Sequence, residues 1–491
     1  MSRAAESETE TLLGLRQALG LVGGPVVALG LVLLGPPSGL STAGWRTLAI
    51  GVFMAIWWIS EAVPIPATAL LPIVAFPLLD VLPVRAAAAP YANPLIYLFL
   101  GGFMIATAME RWDLHRRVAL AIVSAVGARP HRLILGFMIA AAGLSLWISN
   151  TATALMMMPI ALSVVRLARE TVAPRDAGRF GAALMLGVAY ACSVGGIGTL
   201  IGTPTNALLA AFVLEDYGRT IGFVEWMMLG VPLTVIGVPI VHLVLTRLVF
   251  PVRFRELPGG RELIERERGK LGRMRPGERA VAIVFALVAL LWIVRPALHN
   301  VLPEVSDTGI ALAGALVLFV WPVDFRRQVF VLDWASARTL PWGVLILFGG
   351  GLSLAAATRE TGLAEWLGAS MTALAGLPGP LLVGIVVVVT ILLTELTSNT
   401  ATAAAFLPVL ASMAEGLGVD PLTLLVPATI AASCAFMLPV ATPPNAIVFG
   451  TGEVTIPQMV RAGVLLGIVF ALLVTAVAFL LVPVTLGGVT R

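Results

Sequence analysis

The sequence predicts an all-α polytopic membrane protein, and composition, hydropathy and charge placement each point to that class. Of the 491 residues, 59% are hydrophobic and 12% are charged, whereas soluble domains are about half apolar and about one quarter charged. The mean hydropathy is +0.98. The arginines flank apolar segments, as topology signals do, and form no solvated stripe that would bind nucleic acid. Long continuous apolar runs favour helices over the alternating strands of a membrane barrel.

Eleven apolar stretches reach or approach the length of about 20 residues that crosses a bilayer as a helix. In chain order they are 18–35, 44–60, 62–82, 94–110, 182–214, 223–250, 280–296, 308–322, 340–357, 421–450 and 457–484. The first lacks the basic flank of a cleaved signal peptide, so we expect a retained transmembrane helix after a cytoplasmic N-terminus at 1–17. The polar insert 251–279 carries nine Arg or Lys against five Glu, and this positive excess places it in the cytoplasm.

Three motifs rich in polar residues occur twice in the same order, once on each side of the basic insert. The matching pairs are 98–102 with 347–351, 149–154 with 398–403, and 202–206 with 441–445. The first two pairs are 249 positions apart and the third pair is 239 apart. Chance similarity between apolar segments is a poor explanation, because polar residues are costly inside a membrane. The sequence therefore predicts two repeats, 18–250 and 280–484.

The uncharged stretch 133–165 is too long for a single membrane span. Its 33 residues would extend roughly 50 Å as one helix, against a hydrocarbon core of about 30 Å. Arg129 and Arg132 precede it, and Arg166 and Arg169 follow it, so both ends are expected in the cytoplasm. Two ends on one side predict a re-entrant hairpin with its tip at Ser149.

The stretch 381–414 repeats this geometry with acidic flanks. Glu365 and Glu415 lie beside it, and no Lys or Arg occurs between Arg359 and Arg461. The positive-inside rule then places the ends of this second hairpin outside the cell. The two repeats are therefore predicted to have inverted topology, with both tips meeting near the midplane of the bilayer.

The Ser-Asn-Thr sequence at each tip offers hydroxyl, amide and backbone groups without formal charge. Helix N-termini and amide donors favour a carboxylate, and hydroxyl and carbonyl oxygens can replace the water around a sodium ion. Ser145 and Thr394 each lie one helical turn before a tip and add an oxygen on the same helix face. The competing interpretation is that these two hydroxyls bond back to the carbonyl one turn earlier.

Two further segments, 191–206 and 432–445, cannot be uninterrupted helices. Four glycines with Pro204 break the first, and Pro439, Pro443 and Pro444 break the second. Unwound backbone at membrane depth is tolerated only where it lines a site or is buried in protein. We therefore expect each break to face the hairpin tip of its own repeat.

The paired tips resemble those of the divalent anion/sodium symporter family, and so does the run 433–448, Ser-Cys-Ala-Phe-Met-Leu-Pro-Val-Ala-Thr-Pro-Pro-Asn-Ala-Ile-Val. The resemblance covers nearly the whole chain. It implies a homodimer in the cell membrane, about eleven transmembrane helices with two re-entrant hairpins, and a transport domain that slides against a scaffold. It also implies interfacial arm helices at 114–128 and 363–377, which could otherwise be ordinary connecting helices.

The resemblance also carries over ligand residues, motif by motif. Sodium and a small dianionic carboxylate would be the cargo, with no organic cofactor. The first sodium site would comprise Ser145, Ser149, Asn150 and backbone near Gly202, and the second Thr394, Ser398, Asn399 and backbone near Ala441. The substrate carboxylates would meet Ser149, Asn150, Thr151, Thr203, Pro204, Ser398, Asn399, Thr400, Thr442 and Pro443.

The function implied is sodium-coupled symport of a C4-dicarboxylate such as succinate, malate or fumarate by an elevator mechanism. A sodium-independent dicarboxylate exchanger, or a symporter specific for sulfate or citrate, stays open within the family. An enzyme is not expected, because the chain lacks HExxH, GxSxG and P-loop motifs. A channel is disfavoured, because inverted repeats with two polar tips fit alternating access better.

Two acidic residues near apolar segments need separate interpretation. Glu395 lies inside the second hairpin, and the sequence leaves a structural hydrogen-bonding role and a role in cation coupling equally open. Its counterpart in the first hairpin is Leu146, so it is not part of the repeated machinery. Glu61 follows Trp57 and Trp58, and we expect it to anchor a helix end at the membrane interface.

Overall fold

Helices make up nearly all the regular structure of this computed structural model, which describes residues 14–298, 302–370 and 376–486. An apolar chain satisfies its backbone polar groups in lipid by forming helices. Those of the first half are α1 (Leu15–Leu34), α2 (Thr42–Ser60), α3 (Ile65–Thr68), α4 (Leu71–Leu78), α5 (Val84–Ala88), α6 (Pro94–Arg111), α7 (Leu114–Val126), α8 (Pro130–Ser145), α9 (Asn150–Thr171), α10 (Pro174–Gly196), α11 (Pro204–Tyr217) and α12 (Phe223–Leu243).

The second half contains a similar series of helices and one small hairpin of strands. The helices are α13 (Gly260–Lys270), α14 (Pro276–Leu298), α15 (Asp307–Val320), α16 (Trp334–Ala337), α17 (Trp342–Glu360), α18 (Leu363–Ser370), α19 (Gly379–Thr394), α20 (Asn399–Leu417), α21 (Leu422–Ala432), α22 (Pro443–Gly450), α23 (Ile456–Leu480) and α24 (Val482–Thr485). Strands β1 (Pro322–Asp324) and β2 (Val329–Phe330) pair antiparallel. The predicted helical architecture is confirmed apart from this two-stranded ribbon.

Ten helical stretches within the described residues are long and apolar enough to cross a membrane. They include Asn150–Thr171 and Asn399–Leu417, which are the second arms of the two predicted hairpins. Five shorter apolar helices include the first arms, α8 and α19. The chain is therefore a multi-span membrane protein. Two predicted segments lie partly outside the described residues. These parts are 1–13 of the N-terminal segment 1–17 and 371–375 of the second predicted arm helix.

The helices at both predicted hairpins extend a few residues beyond the stretches 133–165 and 381–414. At the first, α8 and α9 have 16 and 22 residues and together run from 130 to 171. At the second, α19 and α20 have 16 and 19 residues and together run from 379 to 417. The helices continue past the uncharged stretches because Arg166 and Arg169 can extend their charged ends away from an apolar helix surface.

Two other expectations also need correction. The stretch 62–82 is not one spanning helix but contains the short helices α3 and α4, separated at Ala69 and Leu70. Proline residues at 64, 66, 72 and 77 remove backbone donors along this stretch. The basic insert 251–279 is not only a loop, because it contains α13 and the first turn of α14.

The helix boundaries follow the spacing of the repeated motifs. Helix α8 begins at Pro130 and α19 at Gly379, while α9 begins at Asn150 and α20 at Asn399, so both pairs are 249 positions apart. The helices α11 and α22, which follow the two breaks, begin 239 positions apart. The repeat limits and their inverted orientation in the membrane stay predictions.

The two hairpins pack around helices that are themselves buried. Helix α10 packs against α8 and α9, and α21 packs against α19 and α20. Small residues permit the close approach, since a Cβ atom at Gly195 would lie 2.4 Å from the carbonyl oxygen of Ala142 on α8. The ends of α10 and α21 are thereby held next to the hairpin tips.

The N-cap residues of the two first arms, Arg129 and Pro378, test the predicted inversion. Both are exposed. We expect Arg129→Cys to react with a membrane-impermeant maleimide only in inverted vesicles, and Pro378→Cys only in intact cells, because the hairpins enter from opposite faces. Cys192 and Cys434 are buried and should give little background. Labelling of both variants from the same face would contradict the inversion.

Candidate functional site

A cavity of about 790 Å³, here called the chamber, lies where both hairpin tips and both helix breaks meet. Each break faces the tip of its own repeat, as the sequence predicts. The ten residues expected to contact substrate all line the chamber: Ser149, Asn150, Thr151, Thr203, Pro204, Ser398, Asn399, Thr400, Thr442 and Pro443. The structure thus brings the candidate residues together, and their roles in binding stay predictions.

Four helices begin at the chamber and direct their N-terminal ends toward it. Their N-cap residues are Ser149 for α9, Thr203 for α11, Ser398 for α20 and Thr442 for α22. Proline at the first position of α11 and α22 favours initiation there, because the absent N–H would have no helical partner. Helix N-termini carry partial positive charge and free amide donors, which suit an anion. Among the described residues that line the chamber there is no Lys, Arg or His.

The first candidate sodium site contains buried oxygens with few hydrogen-bond partners. Asn150 Oδ1 makes no hydrogen bond within the described residues. Ser145 Oγ bonds to no backbone carbonyl there, and its side-chain neighbour is the Cys192 thiol. The alternative that Ser145 bonds back to its own helix is therefore wrong. A Cβ atom at Gly202 would lie 2.5 Å from the Gly196 carbonyl oxygen and 2.9 Å from that of Ser145. Closely spaced carbonyl and hydroxyl oxygens are the ligand type that a hard cation prefers.

The second candidate sodium site is more completely hydrogen-bonded. Thr394 Oγ1 lies 2.7 Å from Asn399 Oδ1 and 2.8 Å from the carbonyl oxygen of Ala432. It does not bond back to the carbonyl one turn earlier, so the alternative interpretation is wrong here as well. Ala441 takes the place of Gly202 and is buried beside the chamber. The two half-sites therefore share their residue types but differ in their internal bonding.

Two asparagines that hold the breaks in shape were missed as site residues. Asn206 Nδ2 donates to the carbonyl oxygens of Gly196, Ile197 and Thr199 at 2.7–3.3 Å. Asn445 Nδ2 donates to those of Ala435 and Leu438 at 3.1–3.2 Å. Each amide satisfies carbonyls that the unwound backbone leaves without helical partners. Both asparagines lie two residues after a Thr-Pro pair, and this repeated spacing could have identified them from the sequence.

Glu395 has the structural role that the sequence left open. Its carboxylate accepts hydrogen bonds from the backbone amides of Phe436, Met437 and Leu438 at 2.6–2.9 Å. These three consecutive amides belong to the unwound segment between α21 and α22. The residue is 3% exposed, so these hydrogen bonds form away from water. Glu395 therefore fixes the second break and does not line the chamber.

Two acidic side chains also line the chamber. Glu61 ends α2 in a left-handed conformation and lines the chamber, so its expected place at a helix end is correct but incomplete. Glu110, in the last turn of α6, lines it too. Sequence reasoning missed both as chamber residues, because α2 and α6 carry no polar motif there.

Comparisons with known proteins agree with this geometry. A family model described as the sodium:sulfate symporter transmembrane region matches residues 16–485. The sodium-dependent dicarboxylate transporter SdcS of Staphylococcus saprophyticus is 43% identical over 479 residues, covering 96% of this chain and 92% of that protein. SdcS of Staphylococcus aureus is 42% identical with the same coverage.

Solved transporter structures share the fold at low sequence identity. The YdaH transporter of Alcanivorax borkumensis matches with a TM-score of 0.56 and 16% identity, over 96% of this chain and 98% of that one. MtrF of Neisseria gonorrhoeae matches with a TM-score of 0.56 and 14% identity, over 92% and 96%. At these identities the likeness concerns the fold alone.

Substitution of Glu395 tests its assignment to the second break. Glu395→Gln should lower the free energy of unfolding of the purified protein by ~1–3 kcal/mol, and its melting temperature with it. The reason is that three backbone amides donate to the carboxylate, whereas the glutamine side chain offers them a single neutral oxygen. Intrinsic fluorescence or a thermal-shift assay in detergent measures this. The exposed Glu365→Gln on α18 is the control and should leave stability unchanged. Equal stability of both variants and wild type would contradict the assignment.

Proposed function

The chain belongs to the divalent anion/sodium symporter family, and from that premise we propose that it carries a C4-dicarboxylate into the cell together with sodium ions. It is a membrane transporter and not an enzyme. The observation that carries the proposal is the convergence of four helix N-termini and two Ser-Asn-Thr tips on one chamber. Relatives named sodium-dependent dicarboxylate transporters favour this function over a sodium-independent exchanger or a sulfate-specific symporter.

Sodium supplies the positive charge that the chamber itself lacks. A dianion moved from water to a site with no basic side chain loses hydration that helix dipoles replace only in part. Two cations bound beside the tips would neutralise it. In this proposal Ser145, Ser149, Asn150 and Gly202 hold one sodium ion, and the second is held by Thr394, Ser398, Asn399 and Ala441. The substrate then binds across the tips and the starts of α11 and α22.

Coupling follows from the position of the ions at the tips. The sodium ligands and substrate ligands share Ser149, Asn150, Ser398 and Asn399, so ion binding orders the same residues that receive the carboxylates. Without sodium, the tip oxygens repel the dianion and the site is poorly formed. Substrate binding therefore depends on prior sodium binding.

We infer that the hairpins move together with the helices packed on them. Helices α8–α12 and α19–α23 would form a transport domain, and α1–α7 with α14–α18 a scaffold that a homodimer anchors in the cell membrane. Neutralising the dianion before movement lowers the free energy of carrying it past apolar surroundings. An elevator motion would then expose the chamber alternately to the two sides.

Uptake into proteoliposomes tests the central proposal. Radiolabelled succinate should accumulate only when an inward sodium gradient is imposed, because the sodium ions complete the site. Replacing external sodium with potassium should abolish accumulation. Unlabelled malate, fumarate, citrate and sulfate added in excess identify the preferred anion by competition. Accumulation without sodium that requires internal dicarboxylate would support the exchanger instead.

Gly202→Ala tests the first sodium site. An added methyl group would lie 2.5 Å from the Gly196 carbonyl oxygen and displace the backbone around the site. The sodium concentration for half-maximal uptake should rise about tenfold or more, which corresponds to losing roughly 1.4 kcal/mol of ion binding. Gly143→Ala, on the first arm of the same hairpin, is the control, since a Cβ atom there meets nothing within 4 Å. An unchanged sodium dependence in Gly202→Ala would contradict the assignment.

A further inference from the structure

Two acidic side chains that line the chamber have no ion-pair partner within the described residues. Helix α6 contributes Phe103, Ala106, Thr107 and Glu110, and the end of α2 contributes Glu61. In the described part of the chain, neither carboxylate forms an ion pair with a basic side chain. A dianion in the chamber therefore meets two carboxylates as well as the helix N-termini.

The nearest arginine in sequence does not offset this charge. Arg111 Nη1 lies 2.7 Å from Asp333 Oδ2. The pKa of Asp333 lies below its usual range, chiefly because the Ser336 backbone amide donates to the carboxylate, and Arg111 adds to the effect. Asp333 therefore stays ionised and keeps Arg111 neutralised. Glu110 has no ion-pair partner at this end of α6 within the described residues.

The corresponding helix of the second repeat carries the opposite charge at the same position. Moving 249 positions along the chain takes Glu110 of α6 to Arg359 of α17, and Ala106 to Ala355. At this position α6 carries an acid and α17 a base, and the next residue reverses the signs, because α6 ends at Arg111 and α17 at Glu360.

Arg359 lines a small cavity beside α17, the helix that corresponds by the repeat to α6 of the chamber. Ala355 and Arg359 line a small cavity of about 30 Å³ with residues of α11 and α20. Arg359 Nη1 lies 3.2 Å from Asp216 Oδ1 and 3.0 Å from the Glu215 carbonyl oxygen. Asp216 belongs to α11, one of the helices that begin at the chamber. The guanidinium is thus held by an element of the proposed transport domain while the chamber opens beside α6.

We propose that Glu110 and Arg359 are the side-specific charges of the substrate path, Arg359 drawing the dianion in on the external side and Glu110 favouring its release on the cytoplasmic side. The inference rests on the proposed function. In transporters built from inverted repeats, the two access states exchange the roles of the repeats. When the chamber opens beside α17, Arg359 takes the place that Glu110 has beside α6. A charge at the mouth of a cleft alters the local concentration of a charged substrate and its rate of association.

Transport measured from each face of the membrane tests the inference. Intact cells present the external face, and inverted vesicles from the same cells present the cytoplasmic face. At low ionic strength, Arg359→Gln should raise the KM for external succinate about three- to tenfold and leave the cytoplasmic KM unchanged. Glu110→Gln should lower the cytoplasmic KM by a similar factor and leave the external KM unchanged. Choline chloride at fixed sodium should shrink both effects, because salt screens such attraction.

Asp216→Asn separates charge attraction from a merely structural ion pair. If Arg359 only held α17 to α11, both Arg359→Gln and Asp216→Asn would break the ion pair and would change the external KM in the same direction. If Arg359 attracts substrate, Asp216→Asn should lower the external KM, while Arg359→Gln raises it. Arg359→Lys should restore most of the wild-type value. Arg327→Gln, in the exposed turn between β1 and β2, is the control for removing a distant positive charge.

The outcomes distinguish failure of this inference from failure of the proposed function. Wild-type transport of sulfate or citrate in place of succinate would overturn the dicarboxylate proposal, and the variants would then be measured with the transported anion. Changes that are equal at both faces, or that salt does not reduce, would overturn the roles of Glu110 and Arg359. Absence of transport of any of these anions by the wild-type protein would overturn both.

Discussion

The structure depends on one constraint, which is that a helix ending inside a membrane must satisfy the backbone groups at its end. In each half, two helices end and two begin at the same place. The ends present carbonyl oxygens and the beginnings present amide donors and partial positive charge. One junction therefore offers cation ligands next to anion ligands without a formal charge. The low charge content of the sequence is compatible with a site for ions because the broken backbone supplies the polar groups.

The two halves satisfy this constraint with different residues. In the first half, the Thr199 hydroxyl donates to the Leu146 carbonyl oxygen and Asn206 spans the unwound turn. In the second, the carboxylate of Glu395 receives three consecutive amides. Leu146 and Glu395 occupy equivalent positions, so one position contributes a backbone acceptor in one repeat and a side-chain acceptor in the other. Similar geometry does not require an identical sequence.

Much of the fold and site could be predicted because polar residues are rare in this chain and therefore conspicuous. Helices begin next to Ser149, Ser398, Pro204 and Pro443, where stretch length, charged flanks and the glycines and prolines predicted chain reversals or breaks. Helix ends were predicted less well, because a helix crosses from lipid to water without a change in its backbone. Arg166 thus appeared to end a helix that continues to Thr171. Chamber residues on α2 and α6 were missed because they are brought in by tertiary packing.

The buried oxygens of Ser145 and Asn150 link transport to the folding stability of the protein. A buried polar atom without a partner costs ~1–3 kcal/mol, so a cation that pairs with both oxygens stabilises the junction of α8, α9 and α10 as well as occupying a site. A ligand that binds only the folded state raises its stability with the logarithm of the ligand concentration. The ion that energises transport would then also stabilise the native state, and its concentration would raise the free energy of unfolding of the substrate-free protein.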